Sequence, residues 1–141
     1  MEYLKYRAWD KKSKKMRKVN SIAFHNEEDC FSHDNSRLPK VINLWGKDII
    51  EDKPIILKRE ENEVILMLVT GLKDKNKKDI YDADYVRCYG IIYEVYWSDI
   101  WLSWFAREIY TTNNTFLSKI ASNDMEVIGN LYETQIDLLN N

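Results

Sequence analysis

The sequence predicts a mainly β fold with minor α content. Short apolar segments recur at intervals of roughly ten residues with polar turns between them, a spacing typical of strands in a small barrel or sandwich. Aromatic residues, which suit pleated strands, make up 13% of the chain. Only 4 Gly and 2 Pro are present, so little of the chain indicates flexible linker. We therefore expect antiparallel strands closed as a small barrel or sandwich.

The N-terminal segment predicts a β-hairpin. Residues 3–9 alternate between two faces and are rich in aromatic side chains, which favours a half-buried strand. Residues 10–13 form a polar turn, and residues 14–19 are the returning strand, whose lysines suit a sheet edge. Residues 21–24 indicate a third short strand. Residues 25–40 are polar and indicate a loop.

The middle of the chain predicts further strands and one polar turn. Residues 41–45 and 54–58 are short apolar segments, and residues 63–69 are dense in β-branched side chains. That density favours a buried central strand, because six or seven residues make barely two helical turns. The acidic and basic residues of the following segment, 70–86, indicate turns that set strand register.

The C-terminal part predicts the remaining strands and a short helix. The predicted strands are residues 84–89, 91–97, 100–106 and 126–132. Residues 115–121 predict a short helix with Thr115 as its N-cap. Residues 135–141 form a tail.

Length, apolar runs and cysteine usage indicate the cellular compartment in which the protein is expected. The chain has 141 residues, the size of one ordinary domain, and its longest apolar run, residues 64–69, is far shorter than the roughly 18 residues of a membrane span. Cys30 and Cys88 lie far apart with no second pair near either, which is typical of a reducing cytoplasm. We expect no membrane partner.

A basic block near the N-terminus is the strongest electrostatic feature. The first twenty residues carry eight Lys or Arg against Glu2 and Asp10, although the whole chain has a net charge of −2. Cations beside aromatic rings bind single-stranded nucleic acids. The alternative is a solvated hairpin whose lysines protect a sheet edge. The candidate nucleic-acid-binding residues are Trp9, Lys11, Lys12, Lys14, Lys15, Arg17 and Lys18.

A dense aromatic segment is the candidate protein interface. It contains Trp97, Trp101, Trp104 and Phe105. Placed on a strand, these rings fall on both faces, so one side is expected to meet another element or another subunit. Self-association follows as a hypothesis, with core packing and a ligand-stacking surface as alternatives.

No catalytic motif or cofactor site is predicted. The sequence has no G-x-S-x-G, no Gly-rich phosphate loop before a helix and no H-E-x-x-H. The two His residues lie in the polar loop, where catalytic geometry is difficult to hold. We therefore expect no enzyme activity and no small-molecule ligand.

Two clusters of potential metal ligands were weighed and no metal site is predicted. The first cluster has an H-x4-C-x2-H spacing without a matching second pair, which favours an incidental polar loop. In the second, lysines alternate with the acids and weaken the field that a dication needs. The clusters are His25, Asp29, Cys30, His33 and Asp34, and Asp74, Asp79, Asp82 and Asp84.

Three stretches together resemble the YopX family of bacteriophage and prophage proteins. They are K-Y-R-A-W-D at residues 5–10, the stretch that begins T-G-L-K-D at residues 70–86, and E-V-I-G-N-L-Y-E at residues 126–133. Their order and spacing span nearly the whole chain. Lys77 and Ala83 stand where the family usually has Gly, so we expect both turns to be remodelled.

The resemblance implies a β-rich fold with an SH3-like barrel in the C-terminal half, encoded by a phage or prophage and located in the bacterial host cytoplasm. We expect an irregular β-rich N-terminal half over residues 1–62, the SH3-like β-barrel over 63–134 and a tail over 135–141. The resemblance implies no activity. The function hypothesis is a non-enzymatic accessory protein that binds itself or a host or phage protein; the alternative is nucleic-acid binding through the basic hairpin, residues 11–18.

Overall fold

The computed structural model describes residues 5–23, 41–47, 53–120 and 124–135. In these residues the predicted mainly β fold is confirmed: eleven strands form antiparallel pairs, with one short α-helix and a 3-10 turn at Glu61–Glu63. The chain divides into two compact units, one from Tyr6 to Leu66 and the other comprising Lys5 and the chain from Met67 onward. The predicted domain boundaries at residues 62 and 134 remain predictions.

The N-terminal unit is an antiparallel sheet. Its strands are β1 (Tyr6–Asp10), β2 (Lys15–Ala23), β3 (Val41–Lys47) and β4 (Pro54–Glu60). They are ordered β4-β3-β2-β1, and β5 (Val64–Lys73) starts here and continues into the second unit. The predicted third strand at residues 21–23 is the end of β2, and residue 24 lies outside the described part.

Burial alternates along these strands and so defines two faces. Ile42 and Leu44 are buried, whereas Trp45 and Lys47 are exposed. Because successive side chains of a strand point to opposite faces, the buried set marks the core face. Its buried cluster contains Ala8, Ile42, Leu44 and Val64.

The C-terminal unit contains a five-stranded antiparallel sheet. Its elements are β6 (Asp79–Tyr81), which pairs with β5, then β7 (Asp84–Cys88), β8 (Ile91–Ser98), β9 (Ser103–Glu108), β10 (Asn114–Phe116), α1 (Leu117–Ile120) and β11 (Glu126–Asn130). The order is β10-β9-β8-β7-β11, and within the described residues the two outer strands do not pair. The closed SH3-like barrel is therefore not confirmed. The core cluster is Ile80, Val86, Val95, Ala106, Leu117 and Met125.

Two C-terminal predictions are wrong in detail. The helix does not begin at Thr115, because Thr115 and Phe116 belong to strand β10 and α1 starts at Leu117. Residues 100–102 are not in a strand: Ser98 pairs with Ser103, and the residues between them form the turn of the β8–β9 hairpin. The Ser98 hydroxyl accepts a hydrogen bond from the Trp101 amide at 3.2 Å, and Leu102 adopts a φ of 49°, both of which fit a turn.

The carboxylate of Asp74 organises the turn between β5 and β6. The side chain is 6% exposed, and one oxygen accepts hydrogen bonds from the amides of Asn76 and Lys78, each at 2.9 Å. The other oxygen accepts the amide of Val127 on β11 at 3.0 Å. Burial alone raises the pKa of Asp74, but these backbone donors lower it below its ordinary value. One buried carboxylate thus joins two of the family-like stretches.

A second set of hydrogen bonds joins the same stretches further along. The buried carboxylate of Asp84 accepts the Tyr81 amide at 2.8 Å, and the carbonyl of Ala83 accepts the Leu131 amide at 2.9 Å. Gly129 lies in a bulge of β11, where an added Cβ would come within 2.2 Å of the Thr134 hydroxyl. Only glycine fits this close approach. Of residues 70–86, the two predicted turns are present between β5 and β6 and at residues 82–83, and the other residues belong to strands.

The expected remodelling at Lys77 and Ala83 does not occur. Lys77 has a φ of 63° and Ala83 a φ of 69°, so both keep the left-handed conformation that glycine adopts most easily. Lys77 still donates its amide to the Asp74 carbonyl at 3.0 Å. The turn chemistry of Asp74 therefore holds the backbone in place without glycine, at a cost of about 1–2 kcal/mol for each such residue.

Lys77→Gly should stabilise the protein by about 1 kcal/mol, because glycine relieves the left-handed strain at an exposed site. Urea unfolding followed by tryptophan fluorescence measures the change. The matched control is Lys75→Gly, in the same turn but without a positive φ, which should be neutral or destabilising. Equal effects of the two substitutions would contradict the account.

Candidate functional site

The basic hairpin is built around a buried carboxylate. Asp10 is 0% exposed and accepts hydrogen bonds from Arg59 Nε at 2.8 Å and Nη2 at 3.0 Å, from the Ser13 hydroxyl at 2.6 Å, and from Arg17 Nε at 3.4 Å. Burial alone raises the pKa of Asp10, but the hydrogen bonds of Arg59 and Ser13 and the Arg59 charge outweigh it and lower the pKa to about 2. Arg17 is thereby engaged in the structure of the hairpin.

The Asp10–Arg59 pair also shows that this sheet is strongly coiled. Arg59 lies on β4 and Asp10 on β1, three strands apart. In a flat sheet these strands would be roughly 14 Å apart. The 2.8 Å contact therefore requires the sheet to curl around its core face.

Two lysines of the turn, Lys11 and Lys12, contact neighbouring protein groups although both are exposed. Lys11 Nζ donates to the Asn62 carbonyl at 3.1 Å, and Lys12 Nζ lies 2.7 Å from Glu63. Lys14, Lys15 and Lys18 are exposed. The predicted nucleic-acid residues are consequently not equivalent, since part of their charge is directed to neighbouring protein groups.

The predicted set is also split between the two faces of the sheet. Ala8, on the core face, pairs with Arg17, whereas Trp9 pairs with Met16 and therefore faces the other way. Arg7 and Lys18 are paired on the same side as Trp9. The structure brings Trp9 and Lys18 onto one surface and leaves Arg17 on the other.

The face that carries Trp9 extends across β3 and β4, and we call it the basic sheet face. Asn43 pairs with both Ser21 and Lys58, and its amide donates to the Ser21 hydroxyl at 2.9 Å, which shows that they share a side. The sequence alone did not indicate that residues of β3 and β4 contribute to this face. By strand register the members of the face are Arg7, Trp9, Met16, Lys18, Ser21, Ala23, Val41, Asn43, Trp45, Lys47, Pro54, Ile56, Lys58 and Glu60.

The predicted aromatic interface separates into two clusters. Trp97 and Trp104 pair across β8 and β9 with ring centroids 5.3 Å apart in an edge-on geometry, and Trp104 packs against the core. Phe105 faces the opposite side, is 7% exposed and lies 4.4 Å from the Phe116 ring. Trp101 packs edge-on against Phe116 at 5.9 Å. Most of these rings therefore stabilise the sheet itself.

The apolar end of the β8–β9 hairpin remains exposed. Ile100 is 88%, Trp101 65% and Leu102 73% exposed, and we call these three residues the apolar tip. Trp97 is 44% exposed and lies at the end of β8, on the face that carries Trp104. Contiguous exposed apolar patches larger than roughly a few hundred Å² mark interaction sites on soluble proteins.

The described part of the chain contains no group of three His, Cys, Asp or Glu side chains placed to bind a metal. The first ligand cluster weighed from sequence, residues 25–34, lies outside the described residues. In the second, Asp74 binds backbone amides and Asp79 pairs with Lys73 at 2.9 Å and Lys5 at 3.3 Å. No helix in the described ranges has the length and apolar character needed to cross a membrane.

The fold defines a small, mainly β protein made of two antiparallel sheet units. The model of the YopX protein family matches residues 5–138, and the chain belongs to the YopX family. Among solved structures, protein EF1440 from Enterococcus faecalis is similar with a TM-score of 0.58 at 20% identity, over 94% of this chain and 96% of that one. Protein yopX from Bacillus subtilis is similar with a TM-score of 0.51 at 18% identity, over 92% and 94%. At these identities the likeness shows the fold alone, and no curated protein matches the chain.

Asp10→Asn should destabilise the N-terminal unit by about 3 kcal/mol at neutral pH, because it leaves two largely buried guanidinium groups without their anion. Asp79→Asn is the matched control: its lysine partners are more than half exposed, so the loss should stay below about 1 kcal/mol. Urea unfolding of both variants measures the difference. Equal losses would contradict a central role for Asp10.

The stability that Asp10 provides should depend on pH. Its folded pKa of about 2 lies below the ordinary 3.8, so its contribution is fully present above pH 3.8 and is lost as the pH falls through 2. The shift corresponds to about 2 kcal/mol. Unfolding of the wild type and Asp10→Asn should therefore differ more at pH 7 than at pH 2.5. A difference that does not change with pH would contradict the assignment.

Proposed function

We propose that the protein is a non-enzymatic binding module that acts through protein–protein contacts, with the apolar tip as its anchor. The observation that carries the proposal is the exposure of Ile100, Trp101 and Leu102 at the end of a packed hairpin. Exposing such side chains to water is unfavourable, so a protein partner that covers them gains free energy. Tryptophan is also enriched among residues that dominate binding energy.

The tip is held in place before binding. Trp101 packs against Phe116, which in turn packs against Phe105, and the Ser98 hydroxyl accepts the Trp101 amide. The Tyr96 hydroxyl donates to Asn114 at 2.9 Å and connects β8 to β10. An anchor that is already ordered loses little conformational entropy on binding.

The buried carboxylates support a non-enzymatic role. Asp10 and Asp74 both have lowered pKa values, and their oxygens accept hydrogen bonds from structural donors. A general acid or base at neutral pH needs the opposite, a carboxyl group whose pKa is raised toward 7. These groups are suited to holding turns rather than to moving protons.

The favoured partner is a different protein with a concave apolar groove, encoded by the phage or its bacterial host. A standard interface buries about 800 Å² on each partner, and a groove that encloses the tip side chains covers more of this surface than a second tip laid against it. A second copy of the chain is the alternative occupant. Action in the bacterial cytoplasm and a phage origin belong to the same proposal, supported by family membership and by similar structures from two bacteria.

The test compares the wild type with Ile100→Ser/Leu102→Asn, which keeps Trp101 packed and places Asn, tolerant of positive φ, at residue 102. The control is Tyr110→Ser, which removes an apolar side chain of 59% exposure outside the tip. Each immobilised protein is offered host lysate, and the captured protein is then purified and titrated. We expect one protein whose affinity falls at least about tenfold with the tip variant and stays unchanged with the control.

Light scattering of the same variants identifies the occupant. A single-chain mass together with a tip-dependent partner supports the favoured form of the proposal. A dimer that the tip variant dissociates makes the second copy the partner. Equal capture by all variants, with no dimer, overturns the role of the tip.

A further inference from the structure

We propose that the basic sheet face of the N-terminal unit is a binding site for single-stranded nucleic acid. This surface is separate from the apolar tip and does not rest on the protein-binding proposal. It also differs from the basic turn that the sequence singled out, because many of its members lie on β3 and β4. Its members are brought together only by strand register.

The register places cations and aromatic rings in neighbouring rows. Lys18 pairs with Arg7 on β1, and its neighbour Val19 pairs with Leu44, so Lys18 lies on the same side as Trp45. Lys58 pairs with Asn43 in the next row. Side chains in directly opposed positions are about 5 Å apart at Cβ, close enough to contact one ligand together.

The charge of this face fits a polyanion. Its basic residues are Arg7, Lys18, Lys47 and Lys58, whereas Glu60 at the end of β4 is the acidic residue on this side among the described positions. Lys18 and Lys58 are exposed to solvent. A local surplus of cations in a chain of net charge −2 favours binding of phosphates over non-specific attraction by the whole molecule.

The aromatic rings favour a single strand over a duplex. Trp45 on β3 is 42% exposed, and Trp9 on β1 is half-buried. The two residues are separated by strand β2 and are offset by two residues along the strand direction. Strand spacing and rise put them roughly 12 Å apart. Stacking on such rings needs bases that are not paired in a helix. Ser21 and Asn43 lie between the cations and add hydrogen-bonding groups.

The probe is a fluorescein-labelled oligothymidylate of about 15 nucleotides, titrated by fluorescence anisotropy at several salt concentrations. With three or four phosphate contacts, log K should fall against log salt with a slope of roughly −2 to −3. A duplex of the same length should bind more weakly, because its bases are unavailable for stacking. Absence of binding at low salt, or equal affinity for the duplex, overturns the proposal.

Two charge variants with the same change in net charge locate the site. Lys18→Glu/Lys58→Glu alters the basic sheet face, and Lys14→Glu/Lys15→Glu alters the turn. The first should weaken binding at least tenfold and the second less than threefold. Equal losses would show a non-specific charge effect, and a larger loss for the turn would assign binding to the hairpin; either result overturns the proposal.

Substitutions at Trp45 distinguish the contribution of base stacking to the binding affinity from that of charge. Trp45→Leu should weaken binding several-fold, whereas Trp45→Phe, which keeps a ring, should restore most of the affinity. Urea unfolding of each variant confirms that it is folded under the binding conditions. A loss that Phe does not restore, in a folded protein, contradicts stacking at Trp45.

Discussion

The structure depends on two buried carboxylates, Asp10 and Asp74, each of which accepts hydrogen bonds at both of its oxygens. Burying an ionised carboxyl group is costly unless several donors surround it, so each such group fixes the position of its donors. Asp10 draws Arg59 across the core face of the N-terminal sheet. Asp74 holds the turn after β5 and the start of β11 in the C-terminal unit. Both anions and the Asp74 donors lie in the stretches that resemble the family, whereas Arg59 lies outside them.

Because of this constraint, the buried charged residues have a structural role and are not candidates for a binding surface. The charged residues that first suggest chemistry are directed inward to backbone amides and guanidinium groups, and the lowered pKa values of Asp10 and Asp74 are the electrostatic consequence. The surfaces that we propose for partners are instead the apolar tip in one unit and the basic sheet face in the other. The two surfaces differ in chemistry, and the proposals therefore assign a protein and a nucleic acid to separate units.

The strand pattern, the basic hairpin and the family could be predicted from the sequence, because alternation and polar turns are local signals. The apolar tip could not be predicted, because an apolar run that includes Trp101 indicates a strand. Only the pairing of Ser98 with Ser103 shows that the residues between them form a turn. The contribution of Trp45 and Lys58 depends on register between strands that are far from β1 in sequence. The available signal in the sequence was that Trp45 and Lys47 alternate with Ile42 and Leu44 along the strand and therefore fall on the opposite face. The left-handed conformation of Lys77 is set by its Asp74 turn and has no signature in its side chain.

The most direct test of the central role of buried carboxylates is an NMR titration that follows the Asp74 carboxyl carbon together with the amides of Asn76, Lys78 and Val127. We predict that Asp74 titrates below the ordinary pKa of 3.8 and that all three amide signals move with the same midpoint, because each amide donates to that carboxylate. A midpoint at or above the ordinary value, with a Val127 amide that does not respond, would contradict it.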